Sequence, residues 1–252
     1  MRIREWDELP SNMQTEEVRY YYDILCKKRF GLIIKRVFDI SVSAIMLVLV
    51  SPIFLILAVA IKLDSPGPVF YRQERVTAYG KRFRIHKFRT MVSDADKKGS
   101  LVTVENDSRV TAVGRLIRKC RLDEVSQLID IFLGDMTFVG TRPEVAKYVD
   151  RYAPVMAATL LLPAGVTSEA SILYKDEAKL LAGAANVDDA YIENVLPGKM
   201  YYNLKSIENF SFWRDIATMF KTVFVVLGKK YEADTAGEEE FVASLAKEEL
   251  QV

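Results

Sequence analysis

Ser41–Ile61 reads SVSAIMLVLVSPIFLILAVAI, an apolar run without a charged residue, interrupted near its middle by Ser51-Pro52. A bilayer hydrocarbon core of about 30 Å is spanned by about 20 apolar residues at about 1.5 Å rise, so this segment is long enough to cross one. Its flanks argue the other way. Lys27, Lys28, Arg29, Lys35 and Arg36 precede it, and Lys62, Arg72, Arg75, Lys81, Arg82 and Arg84 follow. Basic charge is retained on the cytoplasmic side of a membrane, and here both sides carry it. Pro52 lacks an N–H and clashes with the carbonyl four residues back, while a hydroxyl such as Ser51 re-satisfies backbone groups released in lipid. A helix-break-helix that enters one leaflet and returns accounts for both features. A straight bitopic span with a tolerated proline is equally compatible with charge and proline alone.

The remaining composition is that of a membrane-attached globular protein. Thirty-five basic and 34 acidic residues leave a formal net charge of +1, which offers no whole-chain attraction for nucleic acid. The basic residues cluster instead around the apolar run and in GKRFRIHKFRTM (Gly80–Met91), a pattern suited to anionic membrane lipids or a phosphate substrate. Cys26 and Cys120 have no pair spacing, and His86 is the single histidine, so neither a disulfide framework nor a His/Cys zinc site is expected. The first thirty residues are polar and aromatic, with no cleavable-signal pattern, and the expectation is a chain that stays on the cytosolic side.

Four segments follow from the pattern: an N-terminal arm over 1–34 with an interfacial helix around 14–30, a membrane helix over 35–63, a catalytic body over 64–228 and a polar tail over 229–252, either a loose helix or disordered. Turn residues at Ser65-Pro66-Gly67-Pro68 precede two short runs, Val69–Tyr71 and Phe83–Ile85, which predict a hairpin. Residues 94–107 read as a loop. DEVSQLIDIFLG, from Asp123, reads as a helix with Val125, Leu128, Ile129 and Phe132 on one face and Gly134 ending it. Glu144–Tyr152 and Tyr174–Leu181 have helical character. FSFWRDIATMFKTVFVVLG (Phe210–Gly228) fits either a headgroup-level helix or a core helix.

The chemistry begins at Asp123-Glu124. A carboxylate pair opening a helix ordinarily complements the helix dipole. Here Arg115, Arg118, Lys119 and Arg121 crowd upstream, and Gly140-Thr141-Arg142-Pro143 follows a short apolar turn. Helix N–H groups and guanidinium forks match phosphate oxygens, and a carboxylate beside them can attack phosphorus. Acids and bases without a dedicated histidine suit phosphoryl transfer assisted by a divalent metal.

KRVFDI (Lys35–Ile40), the apolar run, IKLDSPGPVFYRQERV (Ile61–Val76), KFRTM (Lys87–Met91), ENDSRVTAVGRLIRK (Glu105–Lys119), LDE (Leu122–Glu124) and GDMTFVGTRPE (Gly134–Glu144) together resemble the bacterial sugar transferases, the small monotopic polyprenyl-phosphate phosphoglycosyl transferases. The resemblance spans roughly residues 33–228. It implies an α+β, helix-dominated, monotopic membrane protein with an N-terminal re-entrant helix-break-helix at Ser51-Pro52 and interfacial amphipathic helices, on the cytoplasmic face of a bacterial inner membrane. The implied reaction moves a sugar 1-phosphate from a UDP-sugar to polyprenyl (undecaprenyl) phosphate, releasing UMP, as the first membrane step of a surface glycan pathway. Asp123 matches the family's nucleophile and Glu124 the second acid of its dyad. Mg2+ would sit near Asp123, and Lys87, Arg89, Arg118 and Arg142 match basic positions that hold phosphates.

The chain departs from the family pattern at Thr77, at Arg121, in LDEVSQ, at Thr141 and in PAGVTSEAS, without losing a carboxylate or a basic group. His86 is expected to be a packing or surface residue. Two other classes compete: a membrane-anchored interaction protein that binds anionic lipids without catalysis, and a phosphatase or nucleotidyl hydrolase using the same acids. The first leaves the Asp-Glu pair beside four bases unexplained.

Overall fold

The structure is a computed structural model describing residues 1–93, 108–181, 183–184, 186–229, 231 and 235–249. The expected loop over 94–107 lies outside the described residues. Helices dominate: α1 (Glu16–Lys27), α2 (Arg29–Asp64), α3 (Ala112–Lys119), α4 (Leu128–Leu133), α5 (Ala146–Val149), α6 (Glu169–Leu173), α7 (Glu177–Leu180), α8 (Val187–Ala190), α9 (Leu196–Glu208), α10 (Phe212–Val226) and α11 (Ala236–Glu249). Four strands, β1 (Phe70–Val76), β2 (Arg82–Phe88), β3 (Met136–Val139) and β4 (Ala164–Thr167), form two two-stranded sheets, β1 with β2 and β3 with β4. This is the expected helix-dominated α+β class.

The chain divides into two compact units, residues 1–38 with 75–83 and 135–252, and residues 39–74 with 84–134. The catalytic body expected over 64–228 is thus shared between both. In the first unit, α1 lays Val18, Tyr21, Tyr22 and Leu25 into a core with Ala157, Ala158, Leu160 and Leu161 of a 3-10 segment and with Leu204 and Ile207 of α9. Thr15 caps α1 by accepting the Val18 N–H. The helix expected around 14–30 is present and packs on protein along this face. The apolar stripe of α1 is covered by protein, and an aromatic run meets the same pattern for a core as for a membrane surface.

Of the two alternatives for the tail, the described residues form the helix. Residues 236–249 form α11, which packs on α9 through Phe241 and Leu245, while Glu238 accepts hydrogen bonds from the hydroxyls of Tyr174 and Tyr202. An Ala- and Glu-rich segment without a strong apolar face gains its helix from that docking. Glu144–Tyr152 and Tyr174–Leu181 shrink to the single turns α5 and α7.

α2 runs unbroken for 36 residues with Pro52 inside it. The expected break is therefore not an interruption of the helix itself. Ser51 Oγ donates to the Val48 carbonyl at 2.8 Å, satisfying a carbonyl in the turn that Pro52 follows. In the most apolar 18-residue stretch of α2 only 11% is buried, and Val48, Leu49, Leu55 and Ile56 are each about two-thirds exposed or more. A helix with so little protein contact along an apolar length is suited to lipid.

In the second unit a small core of Ile61, Phe88 and Ile117 is ringed by Phe54, Leu57, Val69, Phe70, Val113 and Leu122. It locks the end of α2 to β2 and α3. Asp64, the last residue of α2, accepts the Val113 N–H at 2.9 Å, so the apolar helix ends by capping the first turn of α3. Hydrogen bonds from Thr111 and Val113 hold its carboxyl below the usual range.

Candidate active site

β2 ends in the run that carries Lys87, Arg89 and Thr90, and α3 is brought against it. Gly114 makes this possible, because a Cβ there would collide with the Thr90 carbonyl. Thr111 caps α3 by accepting the Gly114 N–H at 3.0 Å. The close approach sets Arg118, in the last turn of α3, so that its Nε donates to Thr90 Oγ1 at 2.8 Å. The chain then reverses at Arg121, a non-glycine residue in the left-handed region with φ 53°. Such a residue costs about 1–2 kcal/mol, and strain of this kind persists where neighbouring structure fixes it.

Asp123 and Glu124 follow immediately, not on the first turn of an amphipathic α-helix but in a 3-10 segment, Leu122–Gln127. α4 starts only at Leu128 and ends at Gly134, whose φ of 96° is the left-handed cap that glycine takes readily. The buried face is Gln127, Leu128, Asp130 and Ile131, with Phe132 exposed, so the face expected from Val125, Leu128, Ile129 and Phe132 is replaced by another. The tighter 3-10 turn shifts the angular position of every later side chain, and the buried acid Asp130 was invisible to a rule that counts apolar residues.

Lys87 Nζ lies 3.3 Å from Glu124 Oε1, with both side chains about a quarter exposed. Burial pushes the Asp123 carboxyl up from its ordinary value, and the neighbouring Glu124 charge adds to the rise, while Lys87 and Arg118 oppose it. The structure thus brings Asp123, Glu124, Lys87 and Arg118 into one electrostatic group within the second unit. Arg89 has a different setting. It is 5% exposed, and its terminal nitrogens donate to the carbonyls of Ile61, Ser65 and Pro66, closing the C-terminal turn of α2. Arg142 belongs to the first unit, in the segment after β3 where the Pro143 carbonyl accepts from Arg75 at 3.2 Å.

Other residues that hold this group were not singled out by sequence. Ser126 Oγ donates within reach of two carbonyls, that of His86 on β2 at 3.0 Å and that of Asp123 at 3.2 Å. His86 in turn is fixed by Asp130, whose Oδ2 accepts the His86 N–H at 2.8 Å and whose Oδ1 lies 2.6 Å from Nδ1. Arg72 Nη1 lies 2.6 Å from His86 Nε2, and the ring packs edge-on to Phe70. His86 is a packing residue, as expected, but one that braces the turn bearing the two acids. Burial raises the Asp130 carboxyl, against the lowering influence of its bonds to His86.

Among the described residues no three His, Cys, Asp or Glu side chains converge as a metal cage. Mg2+ is commonly bound by one or two carboxylates with substrate phosphates and waters, and the adjacent Asp123 and Glu124 fit that chemistry.

The sequence matches the bacterial sugar transferase family over residues 30–229, and the chain belongs to that family. It is similar to the UDP-N-acetylgalactosamine-undecaprenyl-phosphate N-acetylgalactosaminephosphotransferase of Aeromonas hydrophila, 36% identical over 173 residues, covering 68% of this chain and 38% of that protein. The UDP-glucose:undecaprenyl-phosphate glucose-1-phosphate transferase of Escherichia coli K12 is 34% identical over 173 residues, 67% of this chain and 34% of that one. The undecaprenyl-phosphate galactose phosphotransferase of Salmonella typhimurium is 34% identical over 176 residues, 64% and 34% of the two chains. The matches therefore span little more than a third of each of these relatives.

Proposed function

We propose that this chain transfers a sugar 1-phosphate from a UDP-sugar to polyprenyl (undecaprenyl) phosphate and releases UMP, as the first membrane step of a surface glycan or glycoconjugate. The observation that carries the reading is the Asp123-Glu124 pair on its braced 3-10 turn, with Lys87 and Arg118 acting on it, in a chain of this family. The reaction is a double displacement. An Asp123 carboxylate oxygen attacks the β-phosphorus of the UDP-sugar, the bond from phosphorus to the UMP oxygen breaks, and UMP leaves with the electron pair. The sugar phosphate stays on Asp123 as an acyl phosphate. An oxygen of polyprenyl phosphate then attacks the same phosphorus, the bond to Asp123 breaks, and the carboxylate returns as the polyprenyl-diphosphate-linked sugar departs.

Burial and Glu124 raise the proton affinity of the Asp123 carboxylate, which strengthens it as a nucleophile, while Lys87 and Arg118 favour its ionised form. Glu124 takes the proton from the lipid phosphate. Arg118 and Arg142 bind phosphate oxygens, Lys87 adds a point charge, and Arg89 supports them by closing the end of α2. Mg2+ would be held near Asp123 and would supply neutralisation of diphosphate charge. On this reading the apolar helix enters and leaves on the cytoplasmic face of the inner membrane, with Ser51-Pro52 at its turning point.

The test uses UDP-sugar labelled on the sugar, Mg2+ and no lipid acceptor, followed by quenching and peptide mapping across a panel of UDP-sugars. Label is expected on the peptide that contains Asp123, and polyprenyl phosphate should chase it off. Normal turnover without any covalent adduct would exclude the double displacement. Cysteine labelling of the N-terminus from outside intact cells would exclude the re-entrant topology.

A further inference from the structure

α10 is held by its first turns at the level where the membrane helix begins. Lys35 of α2 donates to Asp215 at 2.6 Å, and the Phe38 and Phe212 rings meet edge-on with centroids 5.4 Å apart, directly before the apolar run of α2 starts. From there α10 presents two different faces. Trp213, Phe220, Phe224 and Leu227, at helical spacings of seven, four and three, are all exposed. Arg214, Thr218 and Lys221, at spacings of four and three, lie on the adjacent face and line a cleft of about 330 Å³ together with Lys205, Ser206 and Tyr231. An aromatic face of this kind sits at the headgroup boundary, and bases beside it reach the phosphates.

Among the described residues that line the cleft, bases outnumber acids. Two acids also line it, Glu169 and Asp215. Asp215 is paired with Lys35 in the protein interior. Glu169 accepts from the Tyr231 hydroxyl at 3.1 Å and lies 4.0 Å from Lys221, whose Nζ also donates to Tyr231 at 2.9 Å. Lys205 bonds the Tyr201 hydroxyl at 3.1 Å, and Arg214 bonds the Asn209 carbonyl at 3.5 Å, both exposed contacts that a stronger anion can displace. Among the described residues, the cleft is thus lined by three bases, Lys205, Arg214 and Lys221, and by Glu169, with Asp215 paired to Lys35.

We infer that the cleft between α9 and α10, lined by Lys205, Arg214 and Lys221, is a binding site for the phosphate headgroup of an anionic phospholipid, whose acyl chains lie along the exposed aromatic face of α10. This site is distinct in its residues from the Asp123 group and does not depend on the reaction proposed above. It would fix the depth and rotation of α10, and through the Lys35–Asp215 pair the entry point of α2.

Trp213 is 75% exposed beside Arg214, and the chain has one other tryptophan, Trp6, so Trp6→Phe leaves Trp213 as a single reporter. The full chain is placed in phosphatidylcholine nanodiscs containing a small fraction of brominated phosphatidylglycerol or, in parallel, brominated phosphatidylcholine. Brominated phosphatidylglycerol is expected to quench Trp213 beyond its mole fraction. Each of Arg214→Gln, Lys221→Gln and Lys205→Gln should lower that preference about fivefold, in line with the attraction one base gains at an anionic surface. Lys221→Arg should retain it, which separates loss of charge from loss of fold. The combined control Arg2→Gln, Lys27→Gln, Lys179→Gln removes three exposed bases outside the cleft and should leave it intact. Equal quenching by both lipids, or an equal loss in the control, would overturn the site in favour of bulk surface charge. Abolition by inorganic phosphate, but not by chloride at the same ionic strength, would overturn the lipid assignment in favour of a soluble anion.

Discussion

Two lysine–carboxylate pairs, one in each unit of the molecule, illustrate how burial separates a structural charge from a chemical one. Lys35 and Asp215 are 2.6 Å apart with side chains 4% and 12% exposed, and the same ammonium donates to the Val139 carbonyl at 2.8 Å. Lys87 and Glu124 are 3.3 Å apart and about a quarter exposed, beside an aspartate whose proton affinity they help to set. The first pair is a closed joint: its hydrogen bonds are short, and a charge left alone there would be expensive. The second is looser and accessible, as the role proposed for it beside a charged substrate requires.

The largest effect is expected at the acid beside the loose pair. Asp123→Asn should fold, stay with the membrane and lose activity by about 10⁴-fold or more, as nucleophile removal does elsewhere. Because burial disfavours the ionised Asp123, its folded-state affinity for protons exceeds the unfolded one, and the ionised group lowers stability, a penalty constant above the raised value and relieved as the pH falls through it toward the ordinary aspartate range. Asp123→Asn should therefore hold or raise the melting temperature while abolishing UMP release. A matched fall in both would make Asp123 structural. Asp123→Glu should also fail, since displacement by about 1 Å can cost 10²-fold.

At the closed joint the order is reversed, with stability rather than chemistry at risk. Lys35→Ala strands Asp215 in the interior and should cost about 3–5 kcal/mol, lowering the melting temperature by roughly 10 °C in detergent. Lys35→Met combined with Asp215→Leu should recover most of that loss. If the double variant unfolds as readily as the single one, the uncompensated charge is not the reason.

Smaller again is the effect of shape at constant charge. Arg118→Lys and Arg142→Lys should each lose about 1.5–3 kcal/mol of transition-state stabilisation, roughly ten- to a hundred-fold in kcat/KM, because a point charge replaces a planar fork. Wild-type rates in both would remove these arginines from phosphate binding.

The finest distinction is one of pH. The acid limb of kcat/KM reports ionisation of Asp123, so it should lie above the ordinary aspartate range. Lys87→Gln removes a cation that favours ionisation and should move the limb to higher pH, whereas Glu124→Gln removes a like charge and should move it to lower pH, with reduced rate in both. Movement in the same direction would show that Lys87 and Glu124 do not act on Asp123 through their charges.

Much of this architecture was legible residue by residue. The apolar helix, the hairpin after Ser65–Pro68, the glycine stop at Gly134 and the acids at 123 and 124 all rest on signals carried by neighbours in sequence. The site's supports were not, because Ser126, His86, Asp130 and Arg72 meet across separations of up to 44 residues and leave no periodic trace. Arg89 looked like a phosphate ligand by its company in KFRTM, yet the end of α2 occupies its guanidinium.

Sequence by itself determined which stretch is long and apolar enough for lipid and which residue types could attack or hold a phosphate, since hydrophobic length and charge identity are properties of the residues alone. Tertiary structure decided which side of each ambiguous helix is covered, sending the aromatic stripe of α1 inward and leaving that of α10 exposed. It also decided which lysine is buried against an aspartate 180 residues away and which stays beside the Asp123-Glu124 pair. Burial and pairing are collective: an ammonium has one chemistry in water and another in the interior, and only the packed chain fixes which of the two it meets.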